Sequence, residues 1–185
     1  DMYIHDTYFI VAHIHYVLFG GSLFAIFGGI YFWFPSMFGK MMNERLGKLH
    51  FALTFITYNL VFFPMHILGI GGHMRRIYDP SQYAFLKPLQ PLNTFISVSA
   101  FALFVSQLPF IWNFFHSLFW GKKAEMNPWH DNGLEWTVAS PPPHGNFATT
   151  PTVYHGPYEY SRPDMEQDFL PQNQPLPASS NAAAH

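Results

Sequence analysis

The chain contains no cysteine among its 185 residues. That absence excludes disulfides, cysteine-held iron–sulfur clusters and thiolate zinc sites, and it leaves the compartment open. Charge is almost as scarce. Asp, Glu, Lys and Arg make up 11% of the chain, against about 25% in ordinary soluble domains, which is too little to wet the surface of a globular fold. Net charge is −2 and no basic run occurs, so the electrostatic footprint of a nucleic-acid binder is missing. The chain opens at Asp1 without Met, and nothing like a signal peptide precedes the first apolar run. The expectation is therefore a fragment, or a polypeptide whose N-terminal portion has been removed.

What remains is apolar: 49% of residues are hydrophobic, and 21 are Phe. The mean hydropathy of +0.06 averages two regimes. No charged residue occurs between Thr7 and Gly39, between Leu49 and Gly72, or between Pro88 and Gly121. Each run reaches the roughly 20 residues a helix needs to cross a bilayer. A helix of a soluble protein would turn one charged face to water over such lengths. The reading is an all-α integral membrane protein with three transmembrane helices, at about 7–34, 49–70 and 92–120. An extended, Pro-rich tail follows over 121–185, its end disordered.

Asp6 or Thr7 can cap the first helix, which is expected to end at Pro35. Gly21, Ala25 and Gly29 form a small-residue stripe suited to close helix approach. Pro64 removes a donor from the second helix and should kink it. Lys40, Arg45, Lys48, Lys122 and Lys123 fall on one side of the bilayer, and Arg75, Arg76 and Lys87 on the other. The excess puts the first side, and the tail, in the cytoplasm or matrix. Trp129, Trp136, Phe147 and Tyr154 are the residues expected to anchor the tail.

Chemistry concentrates in Asp1-Met-Tyr-Ile-His-Asp-Thr-Tyr-Phe-Ile-Val-Ala-His-Ile-His-Tyr-Val17. Ionisable groups inside a span are costly and functional by default, and His13 and His15 lie about two turns inside. At about 100° per residue they point roughly 200° apart and differ by about 3 Å in height. They cannot share one metal, but they can serve two centres on opposite faces of one helix. Imidazole is a usual axial ligand of haem iron. The plain alternative is that they bond neighbouring helices.

His5 and Asp6 at the membrane surface form a partial site for a hard divalent ion, unless Asp6 merely caps the helix. Arg75 and Arg76 need anions nearby, either haem propionates or lipid headgroups. His66 either bonds a carbonyl freed by Pro64 or helps to hold a cofactor, and the structural reading is preferred. No role is assigned to His50, His73, His116, His130, His144, His155 or His185.

The stretch from His5 to Val17 closely resembles the tenth-helix signature of cytochrome c oxidase subunit I, in the haem–copper oxidase superfamily. Phe24-Ala-Ile-Phe-Gly-Gly29, Trp33-Phe-Pro35, Phe62-Phe-Pro-Met-His-Ile-Leu-Gly69, Leu134-Glu-Trp-Thr137 and Ser140-Pro-Pro-Pro143 support it. The resemblance covers residues 1 to about 160 and implies the last three helices of a twelve-helix bundle. It implies that His13 is the axial ligand of the high-spin, oxygen-binding haem and that His15 is one axial ligand of the low-spin haem. Both haems are expected to be haem A. Further implications are a Mg or Mn site at His5 and Asp6, completed by a Glu from subunit II, and contacts from Asp1, Arg75 and Arg76 to haem propionates. Copper B belongs to the complex but takes no ligand from this chain. Two departures stand out: His73-Met74 precedes the arginines where the family often has Met-Pro, and Ile14 replaces a common Phe.

The implied function is oxidation of cytochrome c and reduction of O2 to water, coupled to proton translocation. Partners would be the remainder of subunit I, subunit II, other oxidase subunits, cytochrome c and lipid. The location would be a bacterial cytoplasmic membrane or, alternatively, the mitochondrial inner membrane. A quinol oxidase of the same superfamily often has Asn-Ser where this chain has Asp6-Thr7. A non-catalytic three-helix scaffold or transporter subunit is the remaining alternative.

Overall fold

The computed structural model describes residues 2–163 and 165–176. Asp1, a candidate propionate contact, and residues 177–185, at the expected disordered end, lie outside them. Among the described residues all regular structure is helical, apart from isolated bridges pairing Thr7 with Met74 and Lys40 with Lys123. Three helical stretches, Tyr8–Phe38, Glu44–Ile70 and Ala84–Trp120, are long and apolar enough to cross a membrane. The protein is an all-α integral membrane protein.

The first stretch is not uniform. It begins as α1 (Tyr8–Ile14), widens to a π-helix over His15–Leu23, and resumes as α2 (Phe24–Phe38). Thr7 caps it, its hydroxyl accepting from the Phe9 N–H at 3.3 Å. The helix does not stop at Pro35 but continues to Phe38. Proline removes one donor, and the stop comes instead at Gly39, whose φ of +66° leaves the right-handed region.

The second stretch, α3 (Glu44–Ile70), starts before the expected Leu49 because Asn43 caps it through Leu46 N–H at 3.1 Å. Charged Glu44, Arg45 and Lys48 fit its first turns at the membrane edge. The third stretch is not one helix. A 3-10 segment (Ala84–Leu89) leads into α4 (Gln90–Val105), and α5 (Leu108–Trp120) follows a break at Ser106–Gln107. Pro109 has no N–H for the Val105 carbonyl, and the chain turns there. Gln107 N–H bonds Phe104 O at 3.1 Å instead of Leu103 O. The Ser106 hydroxyl and the Gln107 side-chain amide take over the Leu103 carbonyl at 2.7 and 3.0 Å.

The chain forms two compact units. One holds the residues up to Tyr31 together with Asn43–His116. Its core is Tyr58, Val61, Phe62, Leu68 and Ile96, where α1, α3 and α4 meet. Gly69 permits the α1–α3 approach: a Cβ there would stand 2.1 Å from the Phe9 amide nitrogen.

The other unit joins Phe32–Met42 to the chain from Ser117 onward. Lys40 Nζ donates to the Leu118 and Phe119 carbonyls at 2.8 Å, a cationic cap on the C-terminus of α5. Trp136 is buried against Phe32, and Trp129 stacks on Phe32 while donating to its carbonyl at 2.9 Å. These two tryptophans anchor the tail. Phe147 and Tyr154 are exposed and do not.

Candidate functional site

α1 and the start of the π-helix position both span histidines. Ile14 and His15 keep right-handed helical backbone angles, so the opposed directions expected of His13 and His15 apply up to the junction. His13 is exposed, with no hydrogen-bond partner among the described residues. His15 is half-buried and held at two points. Its Nδ1 lies 2.7 Å from the Val11 carbonyl. A carbonyl only accepts, so Nδ1 carries the proton and Nε2 keeps its lone pair. Fixing the tautomer through a backbone carbonyl is the usual support for a metal-bound imidazole. Phe62 stacks on the ring at 4.5 Å and 17°.

His15 also lines a groove of about 430 Å³ with Ile14, Leu18, Ser22, Leu23 and Ile26. An apolar wall with one free imidazole nitrogen suits a flat macrocycle bound through its metal.

The surface residues converge as well. Thr7 bridges Met74, Tyr8 N–H donates to His73 O at 2.9 Å, and Arg75 N–H donates to Asp6 O at 2.9 Å. This brings His5, Asp6 and Arg75 together. His5 Nε2 lies 3.4 Å from Asp6 Oδ2, and the Arg75 guanidinium pairs with Asp6 Oδ1. Because Thr7 is the cap, Asp6 is free for other work. Asp6 and Arg76 both adopt left-handed backbone angles, φ +55° and +65°, a strain that persists only where the surroundings impose it.

Arg75 Nε is buried without a partner, an orphaned donor that fits an anion such as a carboxylate. Arg76 is exposed, with no partner among the described residues. No group of three His, Asp or Glu side chains clusters there or elsewhere among the described residues. His5 and Asp6 supply two donors, and a hard divalent ion needs more oxygen ligands than these.

Several buried groups were not anticipated from sequence. His73 is buried, its Nδ1 donating to Met74 O at 3.0 Å and its Nε2 accepting from Asn93 at 3.0 Å. His50 is buried between Gln107 and Tyr31, at 3.2 and 3.4 Å. His155, also buried, sits on the Gly156 and Pro171 carbonyls. A histidine alone in a sequence carries no sign of its partners. His66 donates to Phe63 O at 3.2 Å, which is not the carbonyl of Leu60 that Pro64 leaves free.

Fold and site together define a helical membrane segment with two histidines close together inside an uncharged span. The chain belongs to the cytochrome c and quinol oxidase polypeptide I family, whose model matches residues 1–102. It is similar to a cytochrome c oxidase subunit 1 of Synechocystis sp., 52% identical over 86% of this chain and 28% of that protein. A cytochrome c oxidase subunit 1 of Thermostichus vulcanus is 48% identical over the same shares, 86% and 28%. An alternative cytochrome c oxidase subunit 1 of Bradyrhizobium diazoefficiens is 43% identical over 97% of this chain and 31% of its own length. The chain spans less than a third of the length of these relatives.

Proposed function

We propose that this chain is the C-terminal part of the catalytic subunit of a respiratory terminal oxidase, with His15 ligating a low-spin haem and His13 a high-spin haem. The observation that carries the reading is the His15 imidazole: tautomer set by Val11 O at 2.7 Å, ring stacked on Phe62, and the residue lining a largely apolar groove. His13, two residues away and unpartnered, serves the second centre on the other face. Bound there, two haems (haem A by family likeness) would supply electron transfer and oxygen binding. The residues of this chain would hold the irons on opposite faces of one helix and neutralise propionate charge through Arg75 and Arg76, with Asp1 a further propionate contact by family likeness alone. His5 and Asp6 would give two ligands to Mg or Mn, the remainder coming from subunit II. Copper B would take its ligands from the rest of subunit I.

The assembled complex would pass electrons from cytochrome c to O2 and couple the reduction to proton translocation. Relatives named cytochrome c oxidase, together with Asp6-Thr7, favour cytochrome c over quinol as donor. The tail would lie on the cytoplasmic side of a bacterial membrane.

The test is a reduced-minus-oxidised spectrum of the purified complex, with and without carbon monoxide, for the parent, His13→Ala and His15→Ala. Two haem A populations are expected in the parent, one binding carbon monoxide. His13→Ala should lose the carbon monoxide signal and His15→Ala the low-spin band. Retention of both haems in both variants would overturn the reading. Haem B or O without the subunit II copper centre would move the donor to quinol.

A further inference from the structure

The widened part of the first span starts at His15, and one feature of the neighbouring helix explains how that residue is held. The Tyr58 side chain is 4% exposed, and a buried phenol needs a partner. Its hydroxyl donates to the main-chain carbonyl of His15 at 3.3 Å. The route to that carbonyl passes Gly20: a Cβ there would lie 2.6 Å from the Tyr58 hydroxyl oxygen and 3.3 Å from the ring carbon bearing it. In a π-helix the His15 carbonyl is also the acceptor for the N–H five residues on, that of Gly20. The phenol therefore reaches a backbone carbonyl in the first turn of the π segment, through a gap that only glycine leaves.

Tyr58 lies one turn before Phe62 on α3, and side chains four apart share a helix face. That face grips His15 twice, Phe62 on the ring at 4.5 Å and Tyr58 on the main chain. Val11 O supplies the third hold, on Nδ1 at 2.7 Å. The next residue is tied to the same helix, Tyr16 OH donating to Asn59 Oδ1 at 2.6 Å. Imidazole orientation about an axial bond follows the Cα–Cβ direction, which the main-chain contact fixes where α geometry gives way to π.

We propose that Tyr58 is a positioning residue for the His15 imidazole, acting through the His15 carbonyl, and that Gly20 is the opening it needs. The proposal rests on the reading of His15 as a haem ligand. Tyr58 touches neither the groove nor the metal position; it sets the plane of the ring that does. The bond is to the main chain and leaves both ring nitrogens untouched, so its loss changes the angle of the imidazole and not its identity.

The experiment uses the complete purified oxidase complex and compares the parent with Tyr58→Phe, Gly20→Ala and the double variant by electron paramagnetic resonance of the oxidised low-spin haem. Haem content and carbon monoxide binding are measured alongside. Tyr58→Phe keeps the ring and its packing. It is expected to retain both haems at parental stoichiometry and to move the largest low-spin g value beyond the parental linewidth, leaving the carbon monoxide difference spectrum unchanged. Gly20→Ala displaces the phenol and should shift the same signal the same way, and the double variant should shift no further than Tyr58→Phe alone. A parental g value in Tyr58→Phe, loss of low-spin haem in it, or fully additive shifts would each overturn the positioning role. His15→Ala keeps the two ideas apart. If it retains the low-spin signal, the ligand reading falls. If it loses the signal while Tyr58→Phe is silent, only the positioning role falls.

Discussion

Asp6 and Arg75 form an ion pair across the short bridge that ties the start of the first span to the loop after α3. The Arg75 N–H also donates to the Asp6 carbonyl at 2.9 Å, so one pair of residues is joined by main chain and side chain. Asp6 divides its carboxylate: one oxygen meets the guanidinium, and the other faces His5 Nε2 at 3.4 Å. The pair thus couples a candidate cation site to a candidate anion site.

Replacing Asp6 by Asn separates those two roles. Its amide can still accept from Arg75 but carries no charge for a divalent ion. The expected outcome is loss of bound manganese from complex prepared with manganese, read by its paramagnetic resonance signal, with haem content retained. Stability should change little, on the order of 1 kcal/mol or less, because the carboxylate side chain is 56% exposed and exposed pairs are screened. Undiminished manganese in Asp6→Asn would remove Asp6 from the metal site.

A second prediction concerns the tail. The Glu159 carboxylate accepts from Gly156 N–H at 2.9 Å and from Arg162 at 2.7 Å. The Gly156 N–H first, and then Arg162, hold its pKa below the usual 4.5. A carboxyl with a depressed folded pKa contributes stability above its unfolded value and loses it as pH falls through the folded one. Amide exchange at Gly156, corrected for intrinsic rate, should stay flat from neutral pH down to about 4.5 and accelerate below it. Glu159→Gln should remove that acid step, and an unchanged step in the variant would assign it to another group.

The three spans were legible because charge-free runs leave few alternatives, and His13 and His15 stand out as candidates because ionisable groups in such runs are costly. What was not legible depended on partners distant in sequence. Asp6 and Thr7 are both acceptable caps by type, and only the bridge to Met74 selects Thr7. Pro35 looks like a stop, but the loss of one donor does not end the helix, which runs on until Gly39. Nothing in His15–Leu23 announces a π-helix, and the Tyr58 hydroxyl on the His15 carbonyl comes from another helix. Pro109 is a breaker in plain sight. Its break was missed because the charge-free run continues across it, and hydropathy is blind to a two-residue turn.

That break underlies the last prediction. Gln107 sits in the turn with its side-chain nitrogen on Leu103 O, Ser106 Oγ and Thr54 Oγ1 at 3.0, 2.8 and 3.2 Å. Its side-chain oxygen faces His50 Nε2 at 3.2 Å. His50 Nε2 must then carry the proton, leaving Nδ1 to accept from Tyr31 OH at 3.4 Å. His50, Thr54 and Ser106 are all buried, and within a bilayer such groups have no water to fall back on. Hydrogen bonds between membrane helices are worth about 0.6 kcal/mol on average and up to about 1.7 by double-mutant cycles. His50→Leu should therefore destabilise the subunit by about 1–2 kcal/mol in unfolding titrations of the purified complex in mixed micelles. Gln107→Leu should cost more, because it also removes the side-chain bonds to Thr54 and Ser106 and leaves the Leu103 carbonyl to the Ser106 hydroxyl alone. The two effects should couple by about 0.6–1.7 kcal/mol. If they simply add, His50 and Gln107 contribute to packing separately and the chain of bonds between them has no energetic meaning.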